Sequence, residues 1–318
     1  MEKKNFCLKR KTRFISKYNY GKGIIDLGEF VLSYASSCNL GCEYCYLNFV
    51  RTPKQPVVYK NKELMFNELE EVIKNQIDRD LYINCGEAAD SLLTDEHIKT
   101  AEQIIDFLST KLGDYNKNIT VEIRTKTSNI DKFKSINSSV IKVVYATSLM
   151  HENIRKNVET RGSNIDERIN NLNKAIEKGM MVGLRFEPII MNSLDNSDTD
   201  KVVKELTDEY EKLICKIQHK LSNLDKIHTI SLSVIRFTRE QFRYYVDTRS
   251  KLVWPEMIIC PDGKYRYSRP IRIEIYKRLI DLLKKYFGYS IMSKIYLATE
   301  FDYIWNSCGL EVKKITEF

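Results

Sequence analysis

Three cysteines stand close together in the run Ser37-Cys38-Asn39-Leu40-Gly41-Cys42-Glu43-Tyr44-Cys45-Tyr46-Leu47. Their spacing, CxxxCxxC, lets three thiolates wrap one soft inorganic centre. Three thiolates leave one iron of a 4Fe–4S cluster without a protein ligand, and that iron is open to a substrate or cofactor. A closed zinc site would want a fourth ligand close by. The loop offers none, and the four histidines (His97, His151, His219 and His228) are scattered. Tyr44, just before the third cysteine, could pack a planar ring beside the cluster. Cys7, Cys215, Cys260 and Cys308 show no motif spacing and read as structural or incidental.

The chain that must hold this loop has 318 residues, 43% hydrophobic and 30% charged. That is enough apolar material for a core and rules out wholesale disorder. No apolar run approaches the roughly 18 residues of a membrane span, and the basic N-terminus leads into no apolar signal segment. The expectation is a cytoplasmic protein with no membrane partner. Eight cysteines are too sparse for a disulfide scaffold. The net charge of +8 is uneven: residues 1–22 hold eight Lys/Arg against one Glu, and residues 236–272 hold nine against four acids. Two basic segments on a mildly acidic body suit a polyanionic partner such as nucleic acid, although lysine is abundant throughout.

Apolar periodicity alternates between strand and helix through the middle of the chain. Strands are predicted over 29–35, 81–85, 119–125, 140–147, 181–188 and 227–235. Helices are predicted over 62–80, 95–112, 164–178 and 199–221, with Gly113 and Gly179 as stops. Such alternation implies an α/β fold of parallel strands, and about six units point to a partial (β/α)6 barrel rather than a closed eight-unit one. Ligands of such sheets bind at the carboxyl ends of the strands. The predicted organisation is a basic N-terminal segment (1–28), the partial barrel (29–235) and a C-terminal extension (236–318) with a turn at Pro261-Asp262-Gly263, a helix over 271–287, a strand over 294–298 and a last helix.

The cysteine loop resembles the signature of the radical S-adenosylmethionine superfamily, which places it after the first strand of a partial β/α barrel. From Cys38 onward the chain more closely resembles the spore photoproduct lyase family. The match runs through Cys42-Glu43-Tyr44-Cys45-Tyr46-Leu47, then Cys85 with Asp90 beyond it, then Arg124-Thr125-Lys126, Arg236-Phe237-Thr238-Arg239 and Gly263-Lys264-Tyr265-Arg266-Tyr267, in the family's order. Gly86-Glu87 departs from the family's Ser-Asp element. It is similar instead to the Gly-Glu that receives the cofactor's amino group elsewhere in the superfamily. Only 37 residues precede Cys38, the first cysteine of the loop, fewer than in characterised lyases.

The resemblance implies a carbon–carbon lyase that repairs a thymine dimer photoproduct in DNA. Cys38, Cys42 and Cys45 would bind the [4Fe-4S] cluster, and S-adenosyl-L-methionine would chelate the open iron. One-electron reduction, from a donor such as flavodoxin or ferredoxin, would release a 5′-deoxyadenosyl radical that takes a hydrogen from the lesion. Cys85, through Tyr44 and Tyr46, would return a hydrogen to the thymine. At a strand end, though, Cys85 reads equally well as a small buried hydrophobe. Glu87, Lys126 and Arg185 are candidate cofactor contacts, and Glu187 could face the barrel interior beside Arg185. Arg236, Arg239, Lys264, Tyr265 and Arg266, interleaving cations and aromatic rings, are candidate nucleic-acid contacts. Alternatives that stay open are a relative modifying RNA, a peptide or a metabolite, and an Fe–S nucleic-acid-binding or redox-sensing protein without radical turnover.

Overall fold

The structure is a computed structural model and describes residues 8–312 apart from 22, 77–79, 113–117, 139 and 192–197. Cys7, Lys22, Ile77 and Gly113 lie outside the described residues. The strand-like runs form one sheet: β1 (Ile15–Lys17), β2 (Phe30–Leu32), β3 (Leu81–Cys85), β4 (Ile119–Arg124), β5 (Ile141–Ser148), β6 (Met181–Ile189), β7 (Ile227–Val234) and β8 (Ile295–Leu297). Spatial order follows chain order. Strands β2 to β8 run parallel, and β1 lies antiparallel at one edge.

The helices are α1 (Lys62–Asn75), α2 (Asp95–Leu112), α3 (Glu152–Val158), α4 (Ile165–Glu177), α5 (Thr199–Lys220), α6 (Arg239–Asp247), α7 (Arg269–Phe287) and α8 (Asp302–Ser307). Their starts are written locally. Asn164 with Glu167, and Thr238 with Gln241, form reciprocal capping boxes that satisfy the first free amides of α4 and α6. Parallel strands joined this way give the expected partial (β/α)6 barrel. It is extended by a strand at each edge, so residues before 29 and after 235 share its sheet.

Side chains alternate across each strand. Leu81, Ile83 and Cys85 of β3 belong to the apolar core, with Val121 and Ile123 of β4 and Leu184 and Phe186 of β6. The residues between them turn to the other face, inside the curl of the sheet. There Tyr82, Glu122, Arg124, Arg185 and Glu187 bond to one another. Both faces are therefore buried, as in parallel sheets generally, but the inner one is charged. Among the described residues no helix is long and apolar enough to cross a membrane.

Candidate active site

The three-cysteine loop follows β2. Gly41 has a φ of +69°, and a Cβ there would lie 2.7 Å from Thr160 Oγ1, so the turn between Cys38 and Cys42 needs glycine. Two elements clamp the loop. From one side the amide of Glu43 donates to the Val158 carbonyl at 2.8 Å, and Arg161 donates to the Asn39 carbonyl at 3.0 Å. From the other, the Tyr245 hydroxyl donates to the Glu43 carbonyl and Ser250 donates to the Glu43 carboxylate at 2.8 Å.

Behind the loop sits Glu159, whose side chain is fully buried. It accepts from the Tyr44 hydroxyl and from Arg168, itself fully buried, and lies 3.6 Å from Lys126. Burial alone would push the Glu159 carboxyl up. Lys126, Arg168 and Tyr44 outweigh it and hold the group below the usual carboxylate range.

Cys42 is buried, and Cys38 and Cys45 are half-buried. Burial pushes all three thiols up, Cys42 to about 11, and neighbouring thiolates raise Cys38 and Cys42 further. Lys126 opposes this at Cys42 and Cys45. Among the described residues no three His, Cys, Asp or Glu side chains converge as a mononuclear metal site requires. A 4Fe–4S cluster asks for something else, since each thiolate takes a different iron. Three neighbouring thiols with a cation beside two of them fit such a cluster.

In front of the loop opens a cleft of about 620 Å³. It lies where the carboxyl ends of the strands place a ligand. Tyr44, Cys45 and Tyr46 form one wall. Glu87 enters from the turn after β3, where Gly86 has a φ of +96° and a Cβ would lie 2.8 Å from Ser91 Oγ and 2.9 Å from the Arg124 carbonyl. The Glu87 carboxylate pairs with Arg124. That contact begins a ladder. Arg124 bonds Glu122 at 2.8 Å, Glu122 bonds Arg185 at 2.8 Å, and Arg185 bonds Glu187 at 2.8 Å on the cleft wall. Burial raises the Glu122 carboxyl, but Arg124 and Arg185 bring it down to about 2. Arg185 thus faces inward as expected, with its guanidinium committed to two carboxylates. Lys126 lines the cleft, its ammonium 5.4 Å from the Tyr44 ring centre.

The other predicted residues separate. Tyr46 is 42% exposed on the cleft wall, and its hydroxyl donates to the Glu87 carbonyl at 2.7 Å. The Tyr44 hydroxyl is committed to Glu159. Cys85 is 2% exposed, packs in the apolar core and is not part of the cleft lining. Burial pushes its thiol up to about 12, so it keeps its hydrogen. Lys264 and Arg236 line the cleft, Arg236 donating to Ser233 Oγ at 3.1 Å. Arg239 and Tyr265 stand just outside it, on an adjoining groove.

Arg266 corrects the expectation of a phosphate contact. It is 1% exposed, makes two bonds to Asp262 at 2.8 and 2.9 Å, and a third to the Thr299 carbonyl. A buried guanidinium needs its own carboxylate, and the turn supplies one four residues earlier.

The sequence reading missed Glu122, Glu159 and Arg168. A glutamate between apolar residues in Ile119–Arg124 was a usable signal for Glu122. Glu159 had none, because its partners come from distant segments. It also missed Lys17 and Tyr18, which reach the cleft from β1.

A partial barrel with a three-cysteine loop after its first parallel strand, opening on a cleft at the strands' carboxyl ends, is the architecture of a radical S-adenosylmethionine enzyme. A family profile described as "Spore photoproduct lyase" matches residues 12–290. The chain belongs to that family, and is a radical S-adenosylmethionine lyase working with a 4Fe–4S cluster and S-adenosylmethionine. Among curated proteins, none matches it by sequence. Its fold is similar to solved structures of spore photoproduct lyase. A tyrosine-to-phenylalanine mutant has a TM-score of 0.71 at 17% identity, with 91% of this chain and 80% of that one covered. A cysteine-to-alanine mutant with dinucleoside spore photoproduct has a TM-score of 0.71 at 19% identity over the same shares. A double mutant with bound AdoMet and dinucleoside spore photoproduct has a TM-score of 0.70 at 18% identity, covering 88% and 78%.

Proposed function

We propose that this chain repairs a thymine photoproduct in DNA, splitting the carbon–carbon bond that joins the two bases. One observation carries the reading: the cysteine loop opens on a cleft whose remaining walls bear Lys17, Arg236 and Lys264, cations suited to a substrate with phosphates. Solved spore photoproduct lyase with AdoMet and the dinucleoside lesion bound supports the substrate class. Cys38, Cys42 and Cys45 would hold the cluster, which with S-adenosylmethionine would supply a radical able to take a hydrogen atom from the lesion.

The chain's own residues do the rest. Glu87 would receive the cofactor ammonium and Lys126 its carboxylate, while the Arg124 and Arg185 ladder fixes Glu87 and Glu187 on the cleft wall. Arg236 and Lys264 hold the backbone of the substrate. After the bond breaks, the thymine radical needs one hydrogen atom. Tyr46, on the wall, gives it from its O–H and is refilled from the S–H of Cys85, leaving the odd electron on that buried sulfur. Tyr46 reaches from the cleft to the turn that follows Cys85, which supports its place between them. All seven described cysteines are free, in keeping with a reducing compartment such as the cytoplasm; the proposed electron donor is a flavodoxin or ferredoxin.

The decisive experiment incubates reconstituted protein, dithionite and S-adenosylmethionine with a lesion-bearing oligonucleotide. Recovery of intact thymines is expected. Cleavage of S-adenosylmethionine to 5′-deoxyadenosine without repair would move the substrate to RNA, a peptide or a metabolite. Absence of that cleavage would leave a sensor.

A further inference from the structure

Helix α6 has two used faces. Thr238 and Gln241 line the catalytic cleft, while Arg239, Phe242 and Arg243 line a second, separate groove of about 420 Å³. The hairpin strand Tyr265–Tyr267 is shared in the same way, with Lys264 before it on the cleft and Tyr265 on the groove. The groove therefore begins where the cleft ends.

Its floor and rim have distinct chemistry. Phe242 and Tyr265 stack face to face, with ring centres 3.9 Å apart and planes 3° from parallel, so the pair offers the outer face of one ring and continues a stack that a base can join. Val246, 47% exposed, extends it. Arg239 and Arg243 are exposed on the rim, and Asp247 is the one acid in the lining. A stacked aromatic floor flanked by two guanidinium groups takes a base on its face and phosphates at its edge. An acidic peptide would use the arginines but leave the floor without purpose.

We propose that this groove is a nucleotide subsite for the DNA flanking the lesion, so that the enzyme reads a strand longer than the dinucleotide it repairs. This rests on the DNA-repair reading of the cleft. The floor takes a base of the flanking strand, and Arg239 and Arg243 take its phosphates.

The test compares two probes, the isolated dinucleotide lesion and a dodecanucleotide carrying the same lesion centrally, on reconstituted holoenzyme. For the Arg239→Ala/Arg243→Ala variant, binding of the dodecanucleotide should weaken by about tenfold or more near 0.1 M salt. Its log–log salt slope should fall by about one to two, the loss of two phosphate contacts. The preference for dodecanucleotide over dinucleotide should shrink by the same factor. Phe242→Leu, which keeps an apolar side chain but loses the ring, should cost about five- to tenfold on the longer probe with little change in salt slope. Equal losses on both probes, or an unchanged dodecanucleotide, would overturn the subsite. If wild-type protein repairs neither probe and yet the variants lose oligonucleotide binding with the stated salt signature, the groove stands and the lesion reading falls.

Discussion

Glu159 is the residue whose removal should tell most about how the cluster loop is held. Its side chain and that of Arg168 are both fully buried and paired. Lys126 and the Tyr44 hydroxyl share the same carboxylate. Glu159→Gln keeps the shape and one acceptor but removes the charge, leaving Arg168 desolvated without a counter-ion. Breaking a buried pair in this way costs about 3–5 kcal/mol. With about 2–3 °C of melting temperature per kcal/mol for a chain of this size, the expected fall is roughly 6–15 °C. The assay is thermal unfolding followed by circular dichroism on iron-free protein, so that metal binding contributes nothing. Arg168→Met added to Glu159→Gln should recover part of the loss, because the buried guanidinium left without a counter-ion is then gone. A fall below about 2 °C in the single variant, or no recovery in the double, would refute the idea that Glu159 is the electrostatic anchor behind the loop.

Three further outcomes are expected. Replacing Cys38, Cys42 or Cys45 by Ala should leave protein without the brown absorbance of a 4Fe–4S cluster after anaerobic reconstitution, and full iron content in any of them would remove that residue from the ligand set. Tyr46→Phe and Cys85→Ala should both still cleave S-adenosylmethionine yet divert the thymine radical into by-product, read by chromatography of the repaired oligonucleotide; clean thymine from Cys85→Ala would mark that cysteine as core packing alone, at about 1–2 kcal/mol of stability. The Glu122 carboxyl is depressed to about 2 in the fold, so its contribution is present above the ordinary value near 4.5 and is lost as pH falls toward 2. The stability gap between wild type and Glu122→Gln, of order 3 kcal/mol at neutral pH by urea denaturation, should narrow below pH 4.5, and a gap independent of pH would contradict it.

Much of the frame was legible because parallel strands buried on both faces announce themselves as short β-prone runs between helical periods. β3 and α2 begin and end where the pattern places them. β1 was not legible, since three residues cannot establish a period. The cysteine loop was legible because its ligands are local in sequence. The residues that hold it were not: Glu159, Arg168 and Tyr245 act from far along the chain, and a single glutamate or tyrosine carries no sign of what it will touch. Arg266 misled for the opposite reason. An arginine among aromatic residues resembles a phosphate contact until the fold reveals the aspartate waiting for it.

The sheet is open, with β1 and β8 at its two free edges. What joins those edges is a pair of two-residue strands. Ile25 pairs with Glu300 and Ile24 with Phe301, so a segment just after β1 meets one just after β8. Glu300 is itself locked in place by Arg272 and Tyr276. During synthesis this clasp cannot form until Glu300 and Phe301 have left the ribosome. Contacts between such distant parts of a chain are entropically slow to make. The order of assembly is therefore set by topology: the β/α units first, in the order they emerge, and the closing of the clasp last. Truncation before residue 300 also strips the buried Arg272 of its carboxylate, so it should destabilise the fold, read as faster hydrogen exchange across the sheet.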